Sequence, residues 1–316
     1  MNIKKNISLK RFSSYKIGGP ARYFCEVKIE DDLREAVKFA KEKNIPLFFL
    51  MGGGSNLIIS DEGINGLVIK LQATSYKLQA TKVEAGAGML MADLVKKTTE
   101  GGLAGLEWAG GLPGTLGGAI FGNAGCFGYE IKDIVVSVRA AGITNYEVRI
   151  KNYELSECEF SYRSSKFKKE GDFVILQALL QFKKGDAKEL QKLAKEKIDY
   201  RKSRHPLEYP NIGSIFKNID EPELVKKILE KFPELKKDVQ EKWHGKVPTA
   251  VLIEKTGLAG RQMGGAQISE KHANFIINKE NAKAADVVSL IKEIKQKVKE
   301  RFDIELEEEV RYVGFF

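Results

Sequence analysis

Hydrophobic positions between residues 22 and 71 follow the spacing of a strand, a helix and two further strands. The strands are the apolar runs at residues 22–28, 47–50 and 66–71. Between the first two runs, apolar side chains repeat on one helical face: Leu33, Ala36, Val37 and Ala40. The pattern predicts a β-α-β-loop-β unit whose loop lies at the carboxyl end of a strand, where open α/β sheets bind ligands.

The rest of the chain predicts a second mixed unit from Lys82 and a third after a basic amphipathic helix at residues 187–204. In the unit predicted from Lys82, a helix at residues 90–99 precedes a long glycine-rich segment and several strands. Residues 174–182 carry the apolar alternation of a strand that is buried on both faces. In the third unit, residues 283–301 form a helix whose apolar stripe we interpret as core rather than as a partner-binding face.

The composition is that of an ordinary globular protein. The chain has 316 residues, a length that is enough for two or three core-forming units. Of these residues 43% are hydrophobic, and the mean hydropathy is -0.28. No run approaches the ~18 consecutive apolar residues of a membrane span, so we expect no membrane insertion. The first ten residues lack the apolar segment of an export signal. Cys25, Cys126 and Cys158 are an odd number at wide spacing, which predicts a reducing, cytoplasmic compartment rather than a disulfide framework.

A net charge of +9 raises the possibility of a nucleic-acid partner. The lysines are spread over amphipathic helices, however, and no nucleic-acid module signature is present. We therefore expect no nucleic-acid partner and interpret most basic residues as solvated faces, a minority of which attract an anionic substrate. The three histidines lie far apart, so no metal site is expected.

Glycine is concentrated in residues 51–56, directly after a predicted strand, and in residues 110–125. Backbone N–H groups of such loops can converge on a phosphate or pyrophosphate, and two dense runs favour this reading over simple tight turns. A side chain at Gly53 is expected to fill the phosphate position and to strain the backbone. Neither run is a nucleotide-binding P-loop, and residues 85–90 lack the third glycine of a dinucleotide fingerprint. The runs therefore predict a less usual cradle for a large anionic ligand.

Three further segments carry candidate chemistry. Arg163 lies in a strand-like stretch rich in hydroxyls and could bind a carboxylate or phosphate, although a surface ion pair is the alternative. Ser214 follows a glycine and precedes Lys217 by three residues, a pattern that a turn followed by a strand also explains. Glu309 stands in a run of four carboxylates, and no spacing rule sets it apart. The residues alone indicate a large phosphorylated ligand and leave the reaction open.

Several blocks in chain order resemble the UDP-N-acetylenolpyruvoylglucosamine reductase family, also called UDP-N-acetylmuramate dehydrogenases. The blocks are residues 17–21 (IGGPA), 52–57 (GGGSNL), 113–125 (PGTLGGAIFGNAG), 160–163 (FSYR), 213–218 (GSIFKN), 264–275 (GGAQISEKHANF) and 309–311 (EVR). Each block alone is modestly specific, whereas the ordered set, which covers nearly the whole chain, is highly specific.

The resemblance implies an α+β fold. Residues 1–195 would form a two-part FAD-binding fold of the vanillyl-alcohol-oxidase-like type, with subdomains at about 1–72 and 73–195. Residues 196–307 would form a mixed α/β substrate-binding domain, and the tail at residues 308–316 would pack back on the first subdomain. The implied enzyme is a cytoplasmic monomer in peptidoglycan synthesis. NADPH reduces its FAD, which then reduces the enolpyruvyl group of the UDP-sugar to give UDP-N-acetylmuramate.

The resemblance also assigns site residues. Arg163 matches the family arginine that lies near the substrate carboxylate, and Ser214 matches the proton donor. Glu309 matches the acidic partner, which either donates a proton in its protonated form or orients a donor. The matching substrate contacts are Tyr162, Lys217, Asn218 and His272. The residues expected to bind FAD are Gly52, Gly53, Gly54, Ser55, Asn56, Gly114, Thr115, Gly117, Gly118 and Asn123.

Two departures from the family pattern stand out. Ile219 follows Asn218 where the family usually has proline, and the connection from Arg163 to Asp172 is too short for the tyrosine-bearing insertion of the longer subtype. The chain therefore resembles the shorter subtype. Two alternatives stay open: another flavin oxidoreductase on the same scaffold, and a nucleotide-sugar-binding homologue without turnover.

Overall fold

The contacts of the chain define two compact units, each assembled from separate stretches. The computed structural model describes residues 1–50 and 52–315; Met51, which opens the first glycine-rich run, and Phe316, the end of the predicted tail, lie outside the described residues. The first unit comprises Met1–Ser8, Pro20–Gly54 and Gly63–Ser203, and the second comprises Leu9–Gly19, Ser55–Glu62 and the chain from Arg204 onwards. The domain boundary expected at residue 195 stays a prediction.

The described residues contain both helices and strands. The strands are β1 (Lys4–Ser8), β2 (Pro20–Val27), β3 (Leu47–Leu50), β4 (Leu57–Ile59), β5 (Ile64–Leu71), β6 (Tyr76–Gln79), β7 (Lys82–Gly86), β8 (Leu103–Ala104), β9 (Gly125–Cys126), β10 (Tyr129–Glu130), β11 (Val135–Thr144), β12 (Glu147–Glu154), β13 (Phe173–Gln181), β14 (Lys183–Lys184), β15 (Gln262–Met263), β16 (Ala266–Ile268), β17 (Ile276–Asn278) and β18 (Arg311–Val313). The helices are α1 (Glu30–Lys43), α2 (Met91–Glu100), α3 (Leu116–Phe121), α4 (Lys166–Glu170), α5 (Ala187–Arg204), α6 (Pro222–Lys231), α7 (Lys236–Glu241), α8 (Thr249–Lys255) and α9 (Ala284–Phe302). Among the described residues, none of these helices is both long and apolar enough to cross a bilayer.

The first unit contains two sheets. In the four-stranded sheet, of order β1-β2-β5-β3, β2 and β3 run parallel to β5. Helix α1 connects β2 to β3, buries its predicted apolar face and ends at Asn44 in a left-handed conformation. The five-stranded antiparallel sheet has the order β12-β11-β13-β7-β6. Its central strand β13 is mostly buried, which confirms the strand predicted at residues 174–182.

The second unit packs helix α9 against the antiparallel strands β15, β16 and β17. The stripe of α9 is buried, so its assignment to the core is confirmed. Two stretches from early in the chain complete this unit: Tyr15 donates its hydroxyl proton to Ile276 O at 2.8 Å, and β4 pairs in parallel with β18.

The strand-like conformation expected around Arg163 is wrong. Ser161 and Ser164 exchange two main-chain hydrogen bonds of 3.1 and 3.0 Å, so the intervening residues form a tight turn. Arg163 takes φ +53°, outside the extended region that is typical of strands. The hydroxyl of Ser165 then accepts from Lys168 N and caps α4.

Candidate active site

The two glycine-rich loops of the first unit meet each other. Gly52 follows β3, and a Cβ built on it would lie 2.9 Å from Thr115 Oγ1 and 3.6 Å from Thr115 N. Because real Cβ contacts are rarely so short, glycine permits this approach. Two loops that are distant in sequence thereby share one glycine-lined surface, as a common ligand requires.

Gly53 and Gly54 contribute differently to this surface. A Cβ on Gly53 would meet no atom within 4 Å, which leaves room above its backbone for a ligand group. Gly54 has φ +62°, a conformation that favours glycine. The backbone strain expected for a larger residue at Gly53 is therefore wrong, because that constraint lies at Gly54.

The second loop is held by Ala87, the residue that directly follows β7. Gly117 N donates to Ala87 O at 2.8 Å, and a Cβ on Gly117 would lie 2.8 Å from Ala87 Cβ. Thr115 caps α3 by accepting from Gly118 N, while Gly114 O accepts from Met91 N at 3.0 Å. Gly117 thus fixes the position of the loop, whereas a Cβ on Gly118 would find its nearest neighbour only at 3.8 Å.

Asn123 supports the turn that carries Arg163. Its side chain is fully buried; Nδ2 donates to Ser161 O at 3.0 Å, and Oδ1 accepts from Lys132 N at 3.3 Å. The protein itself therefore engages both ends of the amide. The FAD contact expected for Asn123 stays a prediction.

Arg163 is half-buried, and its guanidinium lies beside the second glycine-rich loop. Nη1 donates to Gly125 O at 2.9 Å, and Cζ lies 5.4 Å from the ring centre of Tyr162. Its carbonyl accepts from Lys168 Nζ at 2.9 Å. Few non-glycine residues adopt a left-handed conformation, and those that do cluster at functional sites.

Arg201 is a buried residue of this region that the sequence interpretation missed. It lies on the basic helix α5, whose charged residues are interpreted for the most part as solvated, yet it is only 8% exposed. Nε donates to Gly110 O and Nη2 to Cys126 Sγ, both at 2.9 Å. Burial raises the pKa of the Cys126 thiol, and the charge of Arg201 opposes this shift.

In the second unit, Ser214 lies on an irregular segment that is paired with the C-terminal stretch. Gly213 precedes it with φ +82°, and Glu309 N donates to Ile215 O at 2.8 Å. Ser214 therefore directly precedes the residue whose carbonyl accepts from Glu309 N. Sequence spacing alone gives no sign of this proximity.

Lys217 and Asn218 are fixed by the same framework. The ammonium of Lys217 forms an ion pair with the carboxylate of Glu307, and its carbonyl accepts from the hydroxyl of Thr249. Asn218 Oδ1 accepts from Thr249 N at 3.3 Å, at the start of α8. A phosphate that binds Lys217 must therefore compete with Glu307.

The acidic neighbours of Glu309 are engaged by lysines. Three other carboxylates form ion pairs: Glu305 with Lys299, Glu307 with Lys217, and Glu308 with Lys295. Glu309 is held by its main chain, because its carbonyl also accepts from Asn56 Nδ2 at 3.0 Å. Ser55 and Asn56 form the turn that leads into β4.

His272 lies in an aromatic cluster of the second unit. Its ring centre is 4.7 Å from that of Phe275 and 5.5 Å from that of His205. Burial lowers the pKa of the imidazole and favours the neutral ring. Its Nδ1 is buried without a hydrogen-bond partner in the described part of the chain, which suits a contact with a bound ligand.

Residues 21–142 match the family model described as FAD binding domain. Together with the glycine-lined surface, this match defines an FAD-binding flavoprotein. Residues 205–313 match the model described as UDP-N-acetylenolpyruvoylglucosamine reductase, C-terminal domain. A curated relative of that name from Alkaliphilus oremlandii is 39% identical over 97% of this chain and 91% of its own length. One from Solibacter usitatus is 37% identical over 99% and 97%. The chain belongs to the UDP-N-acetylenolpyruvoylglucosamine reductase family.

A solved structure agrees with this assignment. The crystal structure of UDP-N-acetylenolpyruvylglucosamine reductase from Thermus caldophilus superposes with a TM-score of 0.77 at 28% identity and covers 99% of this chain and 100% of its own. The family resemblance, the FAD cofactor and the mixed fold expected from the sequence are confirmed. The roles of individual site residues stay predictions.

Proposed function

We propose that the protein reduces UDP-N-acetylenolpyruvoylglucosamine to UDP-N-acetylmuramate with NADPH, as a cytoplasmic monomer. The observation that best supports the proposal is the hydrogen bond from Glu309 N to Ile215 O, which pairs the main chain of Glu309 with the segment that carries Ser214. The cysteines, all free thiols, fit a reducing compartment.

FAD, when bound, supplies the hydride that the reduction needs. We assign its pyrophosphate to the two glycine-rich loops: Gly52, Gly53, Gly54, Ser55, Asn56, Gly114, Thr115 and Gly118. Gly117 and Asn123 hold these loops and the adjoining turn. The open space above Gly53 and Gly118 supports the assignment, because a phosphate can approach the backbone closely where no side chain stands in the way.

Three residues carry the chemistry of the substrate in this proposal. Reduction at the β-carbon of the enolpyruvyl group drives negative charge onto its carboxylate, and the planar guanidinium of Arg163 stabilises that charge. The hydroxyl of Ser214 delivers the proton to the α-carbon. The carboxyl of Glu309 assists that delivery, either as a donor or by orienting one. Tyr162, Lys217, Asn218 and His272 bind the rest of the substrate.

The visible spectrum of the purified protein tests the function. Flavin bands that NADPH bleaches and the enolpyruvyl UDP-sugar restores are expected. Bleaching without restoration would instead favour another flavin oxidoreductase on this scaffold. Flavin bands that NADPH leaves unchanged would favour a nucleotide-sugar-binding homologue without turnover.

Gly53→Val is expected to fold and to lose most of its flavin. The position has no left-handed backbone to strain, so the added side chain occupies only the space assigned to the phosphate. The ratio of flavin to protein absorbance after purification measures the loss, and Gly53→Ala should lose less. A folded Gly53→Val protein with a full complement of flavin would contradict the cradle assignment.

Lys217→Ala is expected to raise KM for the UDP-sugar roughly tenfold or more, with kcat little changed, since the diphosphate keeps its charge throughout the reaction. Steady-state kinetics measures both constants. Lys295→Ala is the matched control, because Lys295 also pairs with a C-terminal carboxylate, that of Glu308, at 2.8 Å. A fall in kcat at unchanged KM would place Lys217 in the chemical step instead.

A further inference from the structure

The segment that carries Ser214 has little regular structure of its own. Residues 213–215 belong to no helix or strand, and Gly213 adopts φ +82°. A proton donor nevertheless has to be held within hydrogen-bond reach of the carbon it protonates. The position of the Ser214 hydroxyl must therefore be set by neighbouring groups.

Asn274 supplies three hydrogen bonds to the two residues that follow Ser214. Its Oδ1 accepts from Phe216 N at 3.0 Å, its Nδ2 donates to Phe216 O at 2.9 Å, and its carbonyl accepts from Ile215 N at 2.9 Å. Asn274 is 2% exposed and Phe216 is 1% exposed. Water therefore cannot readily replace these bonds if the amide is removed.

The opposite side of the segment is held by the C-terminal stretch. Glu309 N donates to Ile215 O at 2.8 Å, and Lys217 N donates to Glu307 O at 2.9 Å. The segment is thus bonded on both sides like a central strand, but on one side a side-chain amide takes the place of a peptide group. An amide presents a donor and an acceptor together, as this pairing requires.

We propose that Asn274 is a positioning residue that fixes the Ser214 hydroxyl for proton delivery. The inference rests on the proposed role of Ser214 and assigns no contact between Asn274 and the substrate. Removing the amide leaves Phe216 N and O unpaired in a buried place, so the segment shifts to recover partners. The proton donor then loses its alignment.

Rapid-mixing kinetics of the flavin-loaded protein tests this inference. For Asn274→Ala we expect the return of flavin absorbance with the enolpyruvyl UDP-sugar to slow roughly 10- to 100-fold. Bleaching by NADPH should stay within about twofold of wild type, since it needs no aligned serine. Because Asn274 acts through Ser214, the double variant Ser214→Ala/Asn274→Ala should be no slower than Ser214→Ala alone. Equal slowing of both half-reactions, or additive losses in the double variant, would overturn the inference.

Asn278→Ala is the matched control. Asn278 is also buried in the second unit, and its amide likewise donates to one main-chain carbonyl, Tyr15 O, and accepts from one main-chain nitrogen, Ala282 N. It should lower the melting temperature without selective loss of reoxidation. If it slows reoxidation as selectively as Asn274→Ala does, the effect belongs to lost buried bonds in general and the inference fails.

A second variant keeps the inference testable if Asn274→Ala does not fold. Asn274→Gln keeps both polar groups on a side chain one methylene longer, and it should slow the same half-reaction, although less than Asn274→Ala. If the UDP-sugar reoxidises the wild-type protein and Asn274→Gln is reoxidised at the same rate, the positioning role is wrong and the proposed function stands. A wild-type protein that the UDP-sugar does not reoxidise removes both.

Discussion

Ser214→Ala is expected to slow reoxidation of the flavin by the enolpyruvyl UDP-sugar by roughly 10²–10⁴-fold. Reduction by NADPH should remain nearly intact, because that half-reaction places no proton on a substrate carbon. Rapid mixing of each half-reaction, followed through the flavin absorbance, measures the two rates separately. Such a split would assign the hydroxyl to the second half-reaction alone.

Two further variants define the role of the hydroxyl. Ser214→Cys should recover part of the rate, since a thiol also donates a proton. Ser289→Ala should leave both half-reactions unchanged, because the Ser289 hydroxyl donates to Ala285 O within its own helix, α9. Equal slowing of both halves in Ser214→Ala would instead indicate a structural role for Ser214.

Arg163→Ala is expected to lower kcat by about 10²–10³-fold with a much smaller change in KM. The partner of the guanidinium gains negative charge only as the reaction proceeds, so the interaction strengthens in the transition state. Steady-state kinetics with the UDP-sugar as the varied substrate measures the two constants. A change confined to KM would leave Arg163 as a binding contact.

The controls for this variant separate charge, geometry and folding. Arg163→Lys keeps the charge but loses the planar fork, so a partial recovery of kcat is expected. Arg149→Ala, which removes an exposed ion pair with Glu147, should change neither constant. Because Arg163 Nη1 also bonds to Gly125 O, melting temperatures show whether the turn is intact.

The elements predicted best are those that hydrophobic periodicity specifies. The face containing Leu33 and Val37 in α1 and the stripe containing Ile291 and Ile294 in α9 are both buried as expected. In these helices a repeat of 3.6 residues is matched by a continuous core, so local pattern and tertiary packing agree.

The geometry of the candidate site follows less directly from hydrophobic periodicity. Arg163 sits in a turn because its conformation is fixed by the serines around it and by Asn123 from a distant loop. The main chain of Glu309 pairs with Ile215, more than 90 residues earlier in the chain. Arg201 is buried although its helix is basic. Each of these facts depends on which distant segments meet, and periodicity carries no information about that.

The parallel pairing of β4 with β18 has a consequence for how the chain acquires its structure. Asn56 and Glu309, which flank this pairing, are 253 positions apart. Contacts between residues so far apart in sequence form at a large cost in loop-closure entropy, and chains rich in such contacts fold slowly. During synthesis, β4 emerges from the ribosome long before its partner strand exists. The second unit therefore closes only after translation of its last strand, and until then its early segments depend on the remainder of the chain for burial.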